Sequence, residues 1–132
     1  MSTSCCNVPA ACCCVGEVDK KPGEVIRITL DLCQWVDGGG TILTGPTDFA
    51  VSVWDVTDDT AAPAAPAGVG MVANSVSTGR NEEGDHCLLH FGIEGGTSGH
   101  SYRLDFTARV RDCNGFVETI ENCVMVRVVS CQ

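Results

Sequence analysis

The feature that most constrains the fold is the strict alternation in the last third of the chain. Between His100 and Ser130, Tyr102, Leu104, Phe106, Ala108 and Val110 alternate with Arg103, Asp105, Thr107, Arg109 and Arg111. A period of two puts one set on an apolar face and the other in water. Asp112-Cys113-Asn114-Gly115 follows, and Asn-Gly is a strong hairpin turn signal. A second run then returns with Ile120, Val124, Val126 and Val128 on one parity. A hairpin this long with one apolar face needs a second sheet to cover it.

The rest of the chain supplies that sheet. Residues 24–32 place Ile26, Ile28, Leu30 and Leu32 on one side and Arg27, Thr29 and Asp31 on the other. Further strands are predicted over 41–44, 49–56, 71–76 and 86–93, the last with Cys87, Leu89, Phe91 and Ile93 on one parity. Residues 57–70, with Asp58-Asp59 and an Ala/Pro run, read as an exposed loop. About seven strands with turn signals every ~8–12 residues predict an all-β sandwich. Residues 1–22 form a separate segment: the stretch MSTSCCNVPAACCCVG has no charged side chain and no periodicity, and reads as an extended cysteine-rich arm ahead of a 23–132 domain.

Charge narrows the partners. Eight basic against seventeen acidic residues give a formal net charge of −9, with no basic cluster beyond Lys20-Lys21. Phosphate contacts need concentrated positive charge, so nucleic acid and anionic membranes are disfavoured. No apolar stretch approaches the ~20 residues of a membrane span. The first basic residue is Lys20 and no leucine-rich stretch precedes it, so no secretory signal is expected and the chain is placed in a cytoplasm. Ten cysteines sit awkwardly there, because reducing cytosol opposes disulfides. A protein assembled in cytosol and later released within a particle resolves the conflict.

Several segments together carry a family resemblance. They are Ile28-Thr29-Leu30-Asp31, Trp35, Gly39-Gly40-Thr41-Ile42, the stretch Gly95-Gly96-Thr97-Ser98-Gly99-His100-Ser101-Tyr102, and Asn114-Gly115. In this order, over roughly residues 24–129, the chain resembles small bacteriophage proteins with an immunoglobulin-like domain that act as fibre–tail adaptors. The resemblance implies an immunoglobulin-like β-sandwich with an N-terminal arm, and a virion structural role. The cysteine-rich arm and the long Ala/Pro loop depart from the family pattern.

The cysteines are the residues with most chemistry. Antiparallel pairing of the strands around residues 28 and 90 places Cys33 beside Cys87, as a disulfide or thiol contact. Cys113 and Cys123 share the hairpin but cannot meet. Cys123 pairs with about residue 105, on the order of 25 Å from Cys113 at ~3.3 Å per residue. Cys113, Cys123 and Cys131 therefore look to Cys5, Cys6, Cys12, Cys13 and Cys14, with the arm running beside the last strand of this subunit or a neighbour. Zinc or iron–sulfur ligation by the arm is an alternative, although C-x2-C spacing is missing.

Other constellations are weaker. His86 and His90 share a face but lie ~13 Å apart along a strand, too far for one ion. His100 reads as a turn residue. Asp55, Asp58 and Asp59 offer a conceivable calcium site. No nucleophile elbow, zinc-protease motif or phosphate loop is present. Glu118 and Asn122 interrupt the apolar parity of the last strand, which predicts a bulge or a hairpin end projecting beyond the sandwich. That projection makes Asn114 and Gly115 contact residues, with Trp35 as a further interface anchor or a packing residue; Trp54 reads as core packing.

The expectation is a non-enzymatic virion structural protein without cofactor. It joins tail to fibre or another tail component as a homo-oligomer that binds other virion proteins. A capsid decoration protein and a host thiol or metal-binding protein are the alternatives.

Overall fold

The structure is a computed structural model that describes residues 14–36, 40–58 and 68–130. Among these residues there are nine strands and no helix: β1 (Gly16–Lys20), β2 (Ile26–Asp31), β3 (Thr41–Ile42), β4 (Phe49–Asp55), β5 (Val69–Met71), β6 (Ser77–Gly79), β7 (Leu88–Gly95), β8 (Ser101–Arg111) and β9 (Val117–Val128). They form two sheets packed face to face, a β-sandwich. One sheet runs β1-β9-β8, with β3 and β4 both on the far edge of β8. The other is centred on β7, with β2 on one side and β5 and β6 on the other.

Nine strands stand where about seven were expected, because β1 lies in the segment read as arm and β5 and β6 stand in place of the strand expected over 71–76. β3 and β4 pair with successive parts of β8, at Val110–Arg111 and at Tyr102–Ala108. Arg109 bridges the break, accepting from Leu43 N–H and donating to the Asp48 carbonyl. Residues 44–47 loop out between them, held by Asp48 Oδ2 accepting from Gly45 N–H at 2.9 Å. β5 and β6 divide β7 in the same way. The strand expected over 71–76 is therefore corrected. Asn74 takes a left-handed φ of 59°, and Ser75 Oγ accepts from Gly92 N–H at 2.9 Å where a backbone carbonyl would otherwise stand.

The core follows the alternation. Leu104, Phe106, Ala108 and Val110 of β8, with Val124, Val126 and Val128 of β9, face Ile28 and Leu30 of β2 and Leu89, Phe91 and Ile93 of β7. Phe49 bridges the sheets, with ring centroids 5.3 Å from Phe91 and 6.1 Å from Phe106. Burial of each such side chain contributes about 1.5–3 kcal/mol before entropy is counted. Trp35 packs against this core from a turn, whereas Trp54 points to the outer face, opposite Arg103, and is not a core residue.

At the corner before β8, the Tyr102 hydroxyl accepts from Thr97 N–H at 2.9 Å. Gly95 and Gly96 make this corner possible. Both have positive φ (85° and 107°), a Cβ on Gly95 would overlap the Gly68 carbonyl, and one on Gly96 would sit 2.7 Å from Val128 Cγ2.

The arm boundary also moves. Gly16–Lys20, assigned by sequence to the arm, is a sandwich strand pairing parallel with Val124–Val128. Val18 packs on the core and Lys20 is 1% exposed. Isolated glycine, acidic and lysine residues hid the strand, since its apolar content is only Val18.

Candidate functional site

The N-terminal strand is locked to the last one by chemistry at both ends. Cys14 and Cys123 form a disulfide with Cα atoms 4.5 Å apart. Val15 N–H donates to the Cys123 carbonyl at 2.8 Å, and Val129 N–H donates to the Lys20 carbonyl at 2.9 Å. Outside, Arg127 Nε lies 3.0 Å from Asp19 Oδ1 and 3.3 Å from Glu17 Oε2. These pairs are exposed and screened by water, so they add little stability. Lys20 turns inward, and its ammonium donates to the Lys21 carbonyl at 2.7 Å. Burial lowers its pKa, partly offset by the Glu24 carboxylate.

Cys33 and Cys87 form the second disulfide, Cα atoms 4.9 Å apart, between the end of β2 and the approach to β7. Cys87 is fully buried. Asp31 Oδ1 accepts from Cys33 N–H at 2.9 Å, and Asn81 Nδ2 lies 3.5 Å from Cys33 Sγ. Ligand atoms of Asp31, Cys33 and Cys87 all fall within 4.8 Å of one another. With the two sulfurs bonded together, neither is a thiolate, and only reduction would make this trio a metal-ligand set. A shallow hollow lined by Val15, Asp31, Cys33, Gln34 and Trp35 joins the two disulfide regions.

The hairpin tip is the third feature. Asp112 organises it: its carboxylate accepts from Asn114 N–H and Phe116 N–H, both at 2.9 Å. Its carbonyl accepts from Gly115 N–H at 3.0 Å. Only Gly115 has positive φ (88°), so the loop is a type I turn closed by a glycine bulge. Asn114 and Gly115 are exposed, and Phe116 is 64% exposed. Cys113 is an exposed free cysteine at the tip, unpaired within the described residues of this chain. The register pairs Asp105 with Cys123, which carries Cys123 back to the Cys14 end and leaves Cys113 at the other. Cys5, Cys6, Cys12, Cys13 and Cys131 lie outside the described residues.

The histidines do not converge. His86 Nε2 pairs with Thr78 Oγ1 at 2.9 Å, and His90 Nδ1 with Thr29 Oγ1 at 2.8 Å. Burial lowers the His90 pKa, with Arg27 adding to the effect. His100 is more than a turn residue: its Nδ1 lies 2.8 Å from Asp55 Oδ2. Burial of Asp55 pushes its pKa up, but hydrogen bonds from Thr57 and His100 outweigh it, and the net direction is down. Of the residues of the conceived calcium site, Asp55 is engaged by Thr57 and His100, and Asp59 lies outside the described residues. Sequence reading missed Lys20, Phe116 and the Asp55–His100 pair. Only Phe116, an aromatic directly after Asn-Gly, carried a local signal.

Fold and site together define a class: a disulfide-stapled β-sandwich whose chemistry lies in its cysteines, its hairpin tip and its sheet edge. No protein-family model matches the chain, and no curated protein matches it.

Proposed function

We propose that this chain is a non-enzymatic structural protein of a phage virion, an adaptor that joins tail to tail fibre or another tail component. It acts as a homo-oligomer, and its immunoglobulin-like domain serves as a docking block. The observation that carries this reading is the division of labour along β9. One end is stapled to the N-terminal strand through Cys14–Cys123, while the other leads into a tip that offers Phe116 to a partner. A scaffold locked at one end and sticky at the other suits a joint between two components, and aromatic anchors dominate such contacts. The cysteines fit assembly in a reducing host cytoplasm followed by oxidation after release.

The immunoglobulin-like assignment is supported by the strand partition, with β2, β7 and the broken β5/β6 against β9, β8 and the broken β3/β4. The bond from Thr97 N–H to the Tyr102 hydroxyl fits the tyrosine corner of such domains. Cys33–Cys87 departs from it, since it joins neighbouring strand ends of one sheet rather than bridging the sheets.

Quantitative mass spectrometry of particles from the source tests the proposal. A few to a few tens of copies per particle supports a tail or neck adaptor. Hundreds of copies would make it a capsid decoration protein, and absence from particles would remove the virion role. The Asp31, Cys33 and Cys87 cluster favours one second reading, a thiol or metal-binding protein of the host. Bound zinc or iron in protein purified under reductant would support that one.

A further inference from the structure

Among the described residues, β9 is only half covered on its outer edge. It runs Val117–Val128, and β1 pairs with Val124–Val128 alone. The ladder's alternation shows which backbone groups face outward on the rest. Even-numbered residues face β8: Val128 N–H donates to the His100 carbonyl, and the Phe116 carbonyl accepts from Asp112 N–H. Odd-numbered residues face the other way: the Cys123 carbonyl accepts from Val15 N–H, and Val129 N–H donates to the Lys20 carbonyl. The Cys123 N–H is capped by Asn122 Oδ1 at 2.8 Å. Val117, Thr119 and Glu121 therefore present their N–H and C=O groups along an edge where no strand pairs among the described residues. Open edges are usually blunted by charged side chains, Pro or a bulge. The stretch Val117-Glu118-Thr119-Ile120-Glu121-Asn122 contains no proline and its register with β8 is unbroken, so Glu118 and Glu121 are its only blunting residues.

We infer that a second copy of this chain occupies this edge, with β9 pairing antiparallel to β9 of the partner about a two-fold axis at Thr119. The geometry is self-complementary. Thr119 exchanges both bonds with Thr119 of the partner subunit, and Val117 and Glu121 exchange with the partner's Glu121 and Val117. All three outward donors and all three outward acceptors of each chain are then satisfied. Glu121 stands opposite the partner's Val117 rather than opposite its own copy, so no like charges face directly. Thr–Thr is a favourable cross-strand pair. The new pairing continues the ladder that β1 begins, along the same edge of the same strand. It also brings Phe116, 64% exposed, toward the β1 start of the other copy, where the partner's Val15 is 41% exposed. An isologous interface of this kind is the usual route to a dimer. The inference concerns the isolated chain and does not rest on the virion reading.

Sedimentation equilibrium of the full, non-reduced chain over rising concentration tests it, with a monomer–dimer equilibrium expected. Thr119→Pro removes one outward N–H while leaving the bonds to β8, because proline is accepted where the edge N–H faces solvent. This variant should be monomeric with an unchanged far-UV spectrum, and Thr119→Val should still dimerise. Should Thr119→Pro fail to fold, amide exchange of the wild type decides. Val117, Thr119 and Glu121 amides should slow with concentration, while those of Glu118 and Ile120 stay protected throughout. Three results would overturn the inference: a monomer at every concentration, slow amides at 117, 119 and 121 in that monomer (an edge covered within the chain), or a dimer abolished by Cys113→Ser.

Discussion

Removing the Cys14–Cys123 disulfide should cost this protein a large share of its stability. The bond spans 109 residues, but the Cys33–Cys87 link spans 54 of them, so the effective loop is about half the full one. Chain-entropy reasoning for a loop of that size gives about 4 kcal/mol at 25 °C. A domain of this length loses roughly 3–4 °C in melting temperature per kcal/mol, so the drop should be roughly 12–16 °C. The double variant Cys14→Ser/Cys123→Ser is the right perturbation, since a single change leaves a thiol free to pair elsewhere. Thermal unfolding followed by circular dichroism reads the midpoint, without reductant and with Cys33–Cys87 confirmed intact by mass. Amide exchange at Val129 adds a local readout, because its N–H is held by the Lys20 carbonyl at the far end of β1. A midpoint shift below about 3 °C would refute the entropic argument. It would mean that the packing of Val18 and Lys20 keeps β1 in place without the staple.

Three further outcomes follow from the same structure. Tyr102→Phe removes the acceptor for Thr97 N–H and should cost about 1 kcal/mol in denaturant unfolding, with the fold retained. Gly95→Ala drives a Cβ into the Gly68 carbonyl at a φ of 85° and should cost at least about 2 kcal/mol; a neutral result would show that the β5–β7 corner relaxes freely. Lys20 has a folded pKa below its ordinary 10.5, so the unfolded chain binds more protons between those two values. Stability should therefore rise as pH climbs through that window, and Lys20→Met should flatten the rise, measured as unfolding midpoints on the alkaline side.

The alternation in β8 and β9 made the largest sheet legible, down to the opposition of residue 105 to Cys123. The same pattern in residues 26–31 and 88–93 made β2 and β7 legible, and with them the proximity of Cys33 and Cys87. The separation of β3 from β4 was legible, but their sharing of one edge of β8 and the break between β5 and β6 were not. They depend on Arg109 spanning a looped-out segment and on a serine hydroxyl standing in for a backbone carbonyl, and neither leaves a periodic trace. The interruption at Glu118 and Asn122 was visible, and its meaning lay in tertiary structure. Glu118 is exposed in the half of β9 that no strand pairs among the described residues, and Asn122 caps the Cys123 amide where β1 begins.

Side-chain parity is a local property, carried by each residue and its second neighbour, so the sequence alone determined the strand faces, the core and the all-β class. Which cysteine meets which is not local. Cys123 bonds Cys14 rather than Cys113 because a parallel strand with one apolar residue seats on β9 and begins beside it. That seating depends on the buried stem of Lys20 and on the path of the whole chain between residues 20 and 117. Only the assembled sandwich decides where β1 begins, and so which part of β9 is left unpaired among the described residues.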